Sequence, residues 1–155
     1  MKRTVYLLIA LMAVFASCEK NEIENENGNN QVETNDSIFY AGTLTANASS
    51  GDCVTPDTEV SINPTAKADS ISISIYKAKL ASRMPAMDIV IPNITVSKSG
   101  DVTVLSSETS IPLAMGSEFP KYTVTEFNGE IIGEELTFSL KFGSTPTSFS
   151  GQLRK

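Results

Sequence analysis

The chain has 155 residues, with 12 Lys plus Arg against 18 Asp plus Glu, so its formal charge is −6 at pH 7. It contains no His, no Trp and two Cys. A His-based triad, a His-ligated zinc and an imidazole acid or base are therefore excluded, and the negative charge argues against nucleic acid as the main partner. The length fits a single domain.

Lys2 and Arg3 form a short positive segment, and Val5 to Val14 an apolar one. The apolar run is too short for a bilayer core of about 30 Å, which needs about 20 residues. Residues 1–17 therefore read as a secretory signal peptide rather than a spanning helix. Phe15-Ala16-Ser17 leads directly into Cys18. These small residues before a cysteine resemble the lipobox of bacterial lipoproteins. The resemblance implies a diacylglyceryl group on the Cys18 thiol, cleavage before Cys18, and an N-acyl chain on the new amino terminus. Each buried CH₂ contributes about 0.8 kcal/mol, and two or more chains give stable attachment to a membrane. An ordinary signal peptide with an incidental Cys is the alternative.

Residues 18–36 form the next segment. Glu19 to Asp36 hold five Glu and one Asp against one Lys, and only Ile23 and Val32 are clearly apolar. Such a stretch cannot bury enough surface to offset the entropy of ordering it, so a disordered tether is expected. Its r.m.s. reach is on the order of 25 Å. An acidic stretch after a lipidated Cys also resembles the surface-export signal of Bacteroides-type lipoproteins; a plain solvating linker is the other reading. The localisation implied is the cell envelope, lipid-anchored at the outer membrane, with surface exposure if that export resemblance holds.

From residue 37 to residue 155 the pattern has period two. Ile71, Ile73 and Ile75 alternate with serines, and Leu136, Phe138, Leu140 and Phe142 alternate with Thr137, Ser139 and Lys141. Period two places each apolar set on one face of a strand, with Ser and Thr on the solvated face of an antiparallel sheet. The expected strands are 38–47, 57–63, 69–77, 88–96, 101–106, 121–127, 130–132 with 135–142, and 147–153. Turn signals separate them: Ser49 to Asp52, Asn63-Pro64, Ser99-Gly100, Asn128-Gly129 and Gly143 to Pro146. Asn-Gly is the strongest short hairpin dipeptide, so a hairpin is expected at Asn128-Gly129. No amphipathic helix is evident; residues 78–84 allow one turn before Pro85 stops it. The fold class is all-β, about eight antiparallel strands in a barrel, with an Ig-like β-sandwich as the alternative.

Several segments carry a resemblance. Lys79 to Ile94 holds a Met84-Pro85-Ala86-Met87 block, Tyr40 to Leu44 opens the domain, Phe127 to Phe138 runs "glycine, apolar, glycine, alternating strand", and Phe149-Ser150-Gly151 closes it. Together, over about 39–153, they resemble the calycin-like domains of Bacteroides-type lipoproteins. The resemblance implies a lipocalin-related, eight-stranded antiparallel barrel and carries no activity with it. With no Trp, the Gly-x-Trp opening of true lipocalins is absent.

Chemistry finds little footing. Cys53 is the remaining thiol once Cys18 is lipidated, so no disulfide forms within the mature chain. Its acidic neighbours Asp52 and Asp57 disfavour a thiolate. Adjacent Glu134 and Glu135 point to opposite faces in a strand and are solvated in a turn. Glu126 and Glu130 flank the expected Asn128-Gly129 turn at an exposed hairpin end. No EF-hand spacing and no phosphate-cradling Gly loop before a helix occurs. The expectation is a protein that is not an enzyme, with no metal and no cofactor beyond the lipid on Cys18.

Two stretches are apolar for a solvated sheet: 80–87, with Met84 and Met87, and 107–120, with Leu113, Met115 and Phe119. They fold over one barrel end as a plug, form a ligand lip, or make a partner surface. Tyr40, Tyr76 and Tyr122 are candidate polar handles. The function expected is a membrane-anchored, non-catalytic binding module for a small apolar ligand at the barrel mouth. The alternative is an accessory interaction subunit of an envelope complex, and a hydrolase ranks last. Partners expected are the membrane, through the lipid, and an unknown small ligand or envelope protein.

Overall fold

The computed structural model describes residues 36–155. The signal peptide, Cys18 and nearly all of the acidic segment lie outside the described residues.

Eight strands make the wall: β1 (Ile38–Ala48), β2 (Gly51–Pro64), β3 (Ser70–Ala78), β4 (Met87–Ser99), β5 (Val102–Ser110), β8 (Val124–Ile132), β9 (Glu135–Phe142) and β10 (Thr145–Leu153). Between β5 and β8 sit two two-residue strands, β6 (Leu113–Ala114) and β7 (Ser117–Glu118), and a 3₁₀ turn at Pro120–Tyr122. The wall runs β3-β2-β1-β10-β9-β8-β5-β4, and β3 pairs with β4 to close the ring. All these pairings are antiparallel. Closure by β3 and β4 gives a barrel, so the two-sheet sandwich does not apply.

Alternation decides what faces inward, and in four places its phase slips by one residue. Inward positions on β2 are Thr58, Val60 and Ile62 after a buried Cys53, and on β4 Ile94 follows Ile91. On β8, Phe127 follows Val124; on β3, Ala78 follows Ile75. Each slip lies where the register shifts against a neighbouring strand. At or beside each slip one residue takes positive φ: Asp57 (52°), Asn93 (60°), Glu126 (55°) and Lys77 (54°). These are β-bulges, which add a residue, bend the strand and raise its twist so that a sheet can close. Asp88 supports one of them, accepting the Lys77 N–H through Oδ1 at 2.8 Å.

The enclosed space is filled by side chains. Leu44, Val60, Ile73, Ile75, Ile91, Ile94, Leu105, Val124, Phe127, Leu136 and Phe142 are all buried at 1% exposure or less. Each such side chain stabilises the fold by roughly 1.5–3 kcal/mol. Phe127, Phe138 and Phe149 stack in sequence across β8, β9 and β10, with centroids 5.5 and 5.1 Å apart. The rings fit because their neighbours have no side chain. A Cβ on Gly129 would lie 2.8 Å from the Phe138 Cβ, and one on Gly151 would lie 2.5 Å from the Phe149 ring.

The expected hairpin at Asn128-Gly129 is therefore corrected. Both residues lie inside β8, paired with Ser139 and Phe138, and the turn comes later, at Gly133-Glu134. Gly129 is needed there for the space it leaves to Phe138, and the Asn128 amide donates to the Glu126 carbonyl at 3.2 Å, bracing the bulge. Strand β2 also begins earlier than expected, at Gly51, and runs through Pro56 because the bulge absorbs that residue.

The two barrel ends differ. Residue 38, Leu153 and the short turns at Gly100-Asp101 and Gly133-Glu134 lie at one end. The long connections 79–86 and 111–123 close the other, where Leu80 is buried and Tyr122 packs on the core.

Phe138→Ala should cost about 3–5 kcal/mol in urea unfolding, as large-to-small core changes do. Val54→Ala, at a position 60% exposed, should stay within about 0.5 kcal/mol. Burial also raises the Tyr40 phenol above its ordinary value. The unfolded chain then releases that proton at lower pH than the folded one, so stability falls as pH climbs through the ordinary phenol range near 10. Unfolding free energy measured from pH 9 to about 11 should fall less steeply in Tyr40→Phe than in the parent.

Candidate binding surfaces

The capped end is built from the residues singled out in the sequence. Met84 and Met87 are half-buried against the core. The Tyr122 hydroxyl donates to Met84 Sδ at 3.2 Å, and Phe119 stacks on Tyr122 with centroids 4.9 Å apart. Leu113, half-buried, pairs with Val90 as β6 joins the edge of β4. Met115 stands apart at the β6–β7 turn, 85% exposed with φ 52°. Met84, Phe119 and Tyr122 thus make one packed cap, while Met115 points away from it. Cys18 lies outside the described residues, and Cys53 is buried opposite Ala46.

The carboxylates stay spread out. Glu126 pairs with Lys141 at 2.7 Å, and Glu134, in its turn, with Lys155 at 3.1 Å. Glu126 and Glu130 do not flank a turn: both lie on β8, four positions apart, with Glu130 paired to Thr137. Among the described residues no three His, Cys, Asp or Glu side chains gather in a metal-binding arrangement.

The outer wall carries the concavities. A groove of about 680 Å³ crosses β1, β10, β9, β8 and β5. Strand register lays two rows of outward side chains along it. One runs Thr43, Ser150, Thr137, Glu130, Val104, and the next Thr45, Ser148, Ser139, Asn128. They are the solvent-side partners of the inward Leu, Phe and Gly residues, so the groove is a direct product of alternation.

A smaller recess of about 300 Å³ opens between the bulges at Asp57 and Lys77, bordered by Glu59 and Tyr76. Beside it Phe39 and Tyr76 stack, with centroids 6.5 Å apart and planes 24° from parallel. Ser61, paired in register with Phe39 on one side and Ser74 on the other and so diagonal to Tyr76, lies on the outer face yet is 0% exposed. Its hydroxyl donates to Asn63 Oδ1 at 3.0 Å and lies 3.3 Å from the Tyr76 hydroxyl. Asn63 in turn donates to Ser74 Oγ at 3.0 Å. With the Ser61 proton committed to Asn63, Tyr76 is the donor in its contact with Ser61. Glu59 is ion-paired with Arg154, whose backbone N–H donates to the Phe39 carbonyl at 2.8 Å.

Phe39, Ser61 and Asn63 were not anticipated as site residues, and Tyr76 was anticipated only as a handle. A signal existed: Phe39 adjoins Tyr40 and Tyr76 adjoins Ile75, so in each pair one ring or chain must face outward.

A family model of the calycin-like β-barrel domain matches residues 37–152. The chain belongs to the calycin-like β-barrel family. No curated protein and no solved structure gives a significant match. Calycin-like barrels typically serve as binding scaffolds rather than catalysts.

Two substitutions separate the cap from its exposed tip. Leu80→Ala, at 2% exposure, should cost about 2–5 kcal/mol of folding free energy. Met115→Ser should change it by less than about 0.5 kcal/mol, both read by thermal and urea unfolding.

Proposed function

We propose that this chain is a lipid-anchored, non-catalytic binding module of the bacterial cell envelope, whose calycin-like barrel meets its partner on the outer wall. The observation that carries the reading is the filled interior. Phe127, Phe138 and Phe149 with Leu44, Ile73, Ile91 and Leu136 occupy the space a ligand inside the barrel would need. The grooves described above lie outside it. Packing of Met84, Phe119 and Tyr122 over the far end supports the same choice against a ligand at the mouth.

Residue 38 enters at the barrel end opposite the 111–123 connection. A lipid on Cys18 would attach the domain to the bilayer through that end by a flexible tether, leaving the wall and the Met115 hairpin free to meet a partner. The exposed Met115, with Ile111 at 41% exposure, favours a second reading, an accessory subunit docked through that hairpin.

Cys18→Ser should move the protein from the membrane to the soluble fraction of its host; continued membrane partitioning would contradict lipid anchoring. The purified protein should not take up apolar fluorescent probes in stoichiometric amounts. Saturable 1:1 uptake, lost in a variant that enlarges the side chain at Leu44 or Ala46, would place binding back inside the barrel. Native mass spectrometry of protein taken from its own membranes should show either no small molecule or a wall-bound one. A Met115→Asp variant that loses a co-purifying protein would instead favour the docked-subunit reading.

A further inference from the structure

We propose that the Phe39–Tyr76 surface and the recess beside it form a binding site for a neutral oligosaccharide, with a pyranose ring lying on the aromatic pair. The proposal rests on the outer-wall reading above and assigns it a ligand class.

Among the described residues Phe127, Phe138, Phe142 and Phe149 are core, whereas Phe39 is 37% exposed on the outer face. It shares that face with Tyr76, and the planes of the two rings lie within 24° of each other. The exposed Phe39 ring, with the half-buried Tyr76 beside it, offers apolar surface that matches the C–H face of a sugar ring. The polar groups beneath the pair are engaged with one another and hold it in place. Ser61, fully buried, fixes Tyr76 through its hydroxyl and Asn63 through the amide oxygen. A fully buried serine on the solvent face of a strand is out of place for packing alone; here it pre-orients the ring that would carry the ligand, which lowers the ordering cost of binding.

The recess adds hydrogen-bonding capacity beside the ring. Asp57, Glu59 and Lys77 border it, so both acceptors and a donor face the opening. Glu59 is already neutralised by Arg154, and the mixed signs at Asp57 and Lys77 favour neither an anion nor a cation. That balance favours a neutral polyhydroxylated ligand over a charged one. The volume of about 300 Å³ suits one or two sugar residues, with the rest of a chain lying across Phe39.

The test uses the full chain with its anchor, in a zwitterionic detergent free of sugar headgroups. Maltohexaose, cellohexaose, xylohexaose and mannohexaose are each titrated and followed by saturation-transfer difference NMR. At least one should bind with transfer concentrated on ring C–H protons. Phe39→Leu and Tyr76→Ala should each weaken it by about tenfold or more, the scale of a lost aromatic contact. Tyr76→Phe keeps the ring and loses the contact with Ser61, and should weaken binding by only about two- to fivefold. Far-UV circular dichroism and urea unfolding establish that each variant is folded; Phe39→Leu keeps the apolar volume and serves if Tyr76→Ala does not fold. Absence of binding by all four sugars, or binding unchanged in Phe39→Leu, would overturn the proposal. If the sugars fail while an envelope protein cross-links to the wall, the ligand class falls and the outer-wall reading stands.

Discussion

Closing eight strands into a ring leaves an interior about as wide as the side chains that line it. That constraint governs the molecule. The inward positions must carry residues whose volumes fill the space together, and they do so with a phenylalanine stack set over glycines. The chain must also bend to close, and it does so at Asp57, Lys77, Asn93 and Glu126, where residues other than glycine accept left-handed backbone conformations. Each costs roughly 1–2 kcal/mol. Burial of the large apolar residues that these bends turn inward offsets that cost.

The same constraint explains which parts of the fold were legible in the sequence. Ile71 to Ile75 and Leu136 to Phe142 alternate without interruption, so their inward faces could be read directly, and the all-β barrel followed from strands of that kind. Strands β2 and β8 could not be read as well. Their alternation slips at Asp57 and Glu126, and a slip followed by Asn128-Gly129 has the local appearance of a turn. Local chemistry favoured a hairpin there; the need for empty space beside Phe138 outweighed it.

The surface was legible only in part. Serines and threonines opposite the core were expected, but which strands would stand side by side was not, so neither the wall groove nor its rows could be placed. The aromatic pair was hidden for a related reason. Phe and Tyr residues usually pack inward, and only register across β1, β2 and β3 pairs Phe39 with Ser61 and Ser61 with Ser74, leaving Tyr76 diagonal to them on the same outward face. The apolar loops were visible as a group, but packing divides them: Met84, Phe119 and Tyr122 close an end, and Met115 remains outside. An interior given over to its own side chains leaves the wall and the far hairpin as the exposed surfaces of the barrel.

A crystal structure of the protein isolated from its own membranes would show whether the barrel is filled by its own side chains. Continuous side-chain density across the barrel axis is expected, with Phe127, Phe138 and Phe149 in contact and nothing else between Leu44 and Ile91. Elongated density from a bound molecule running along that axis, with those rings displaced toward the wall, would contradict a filled interior.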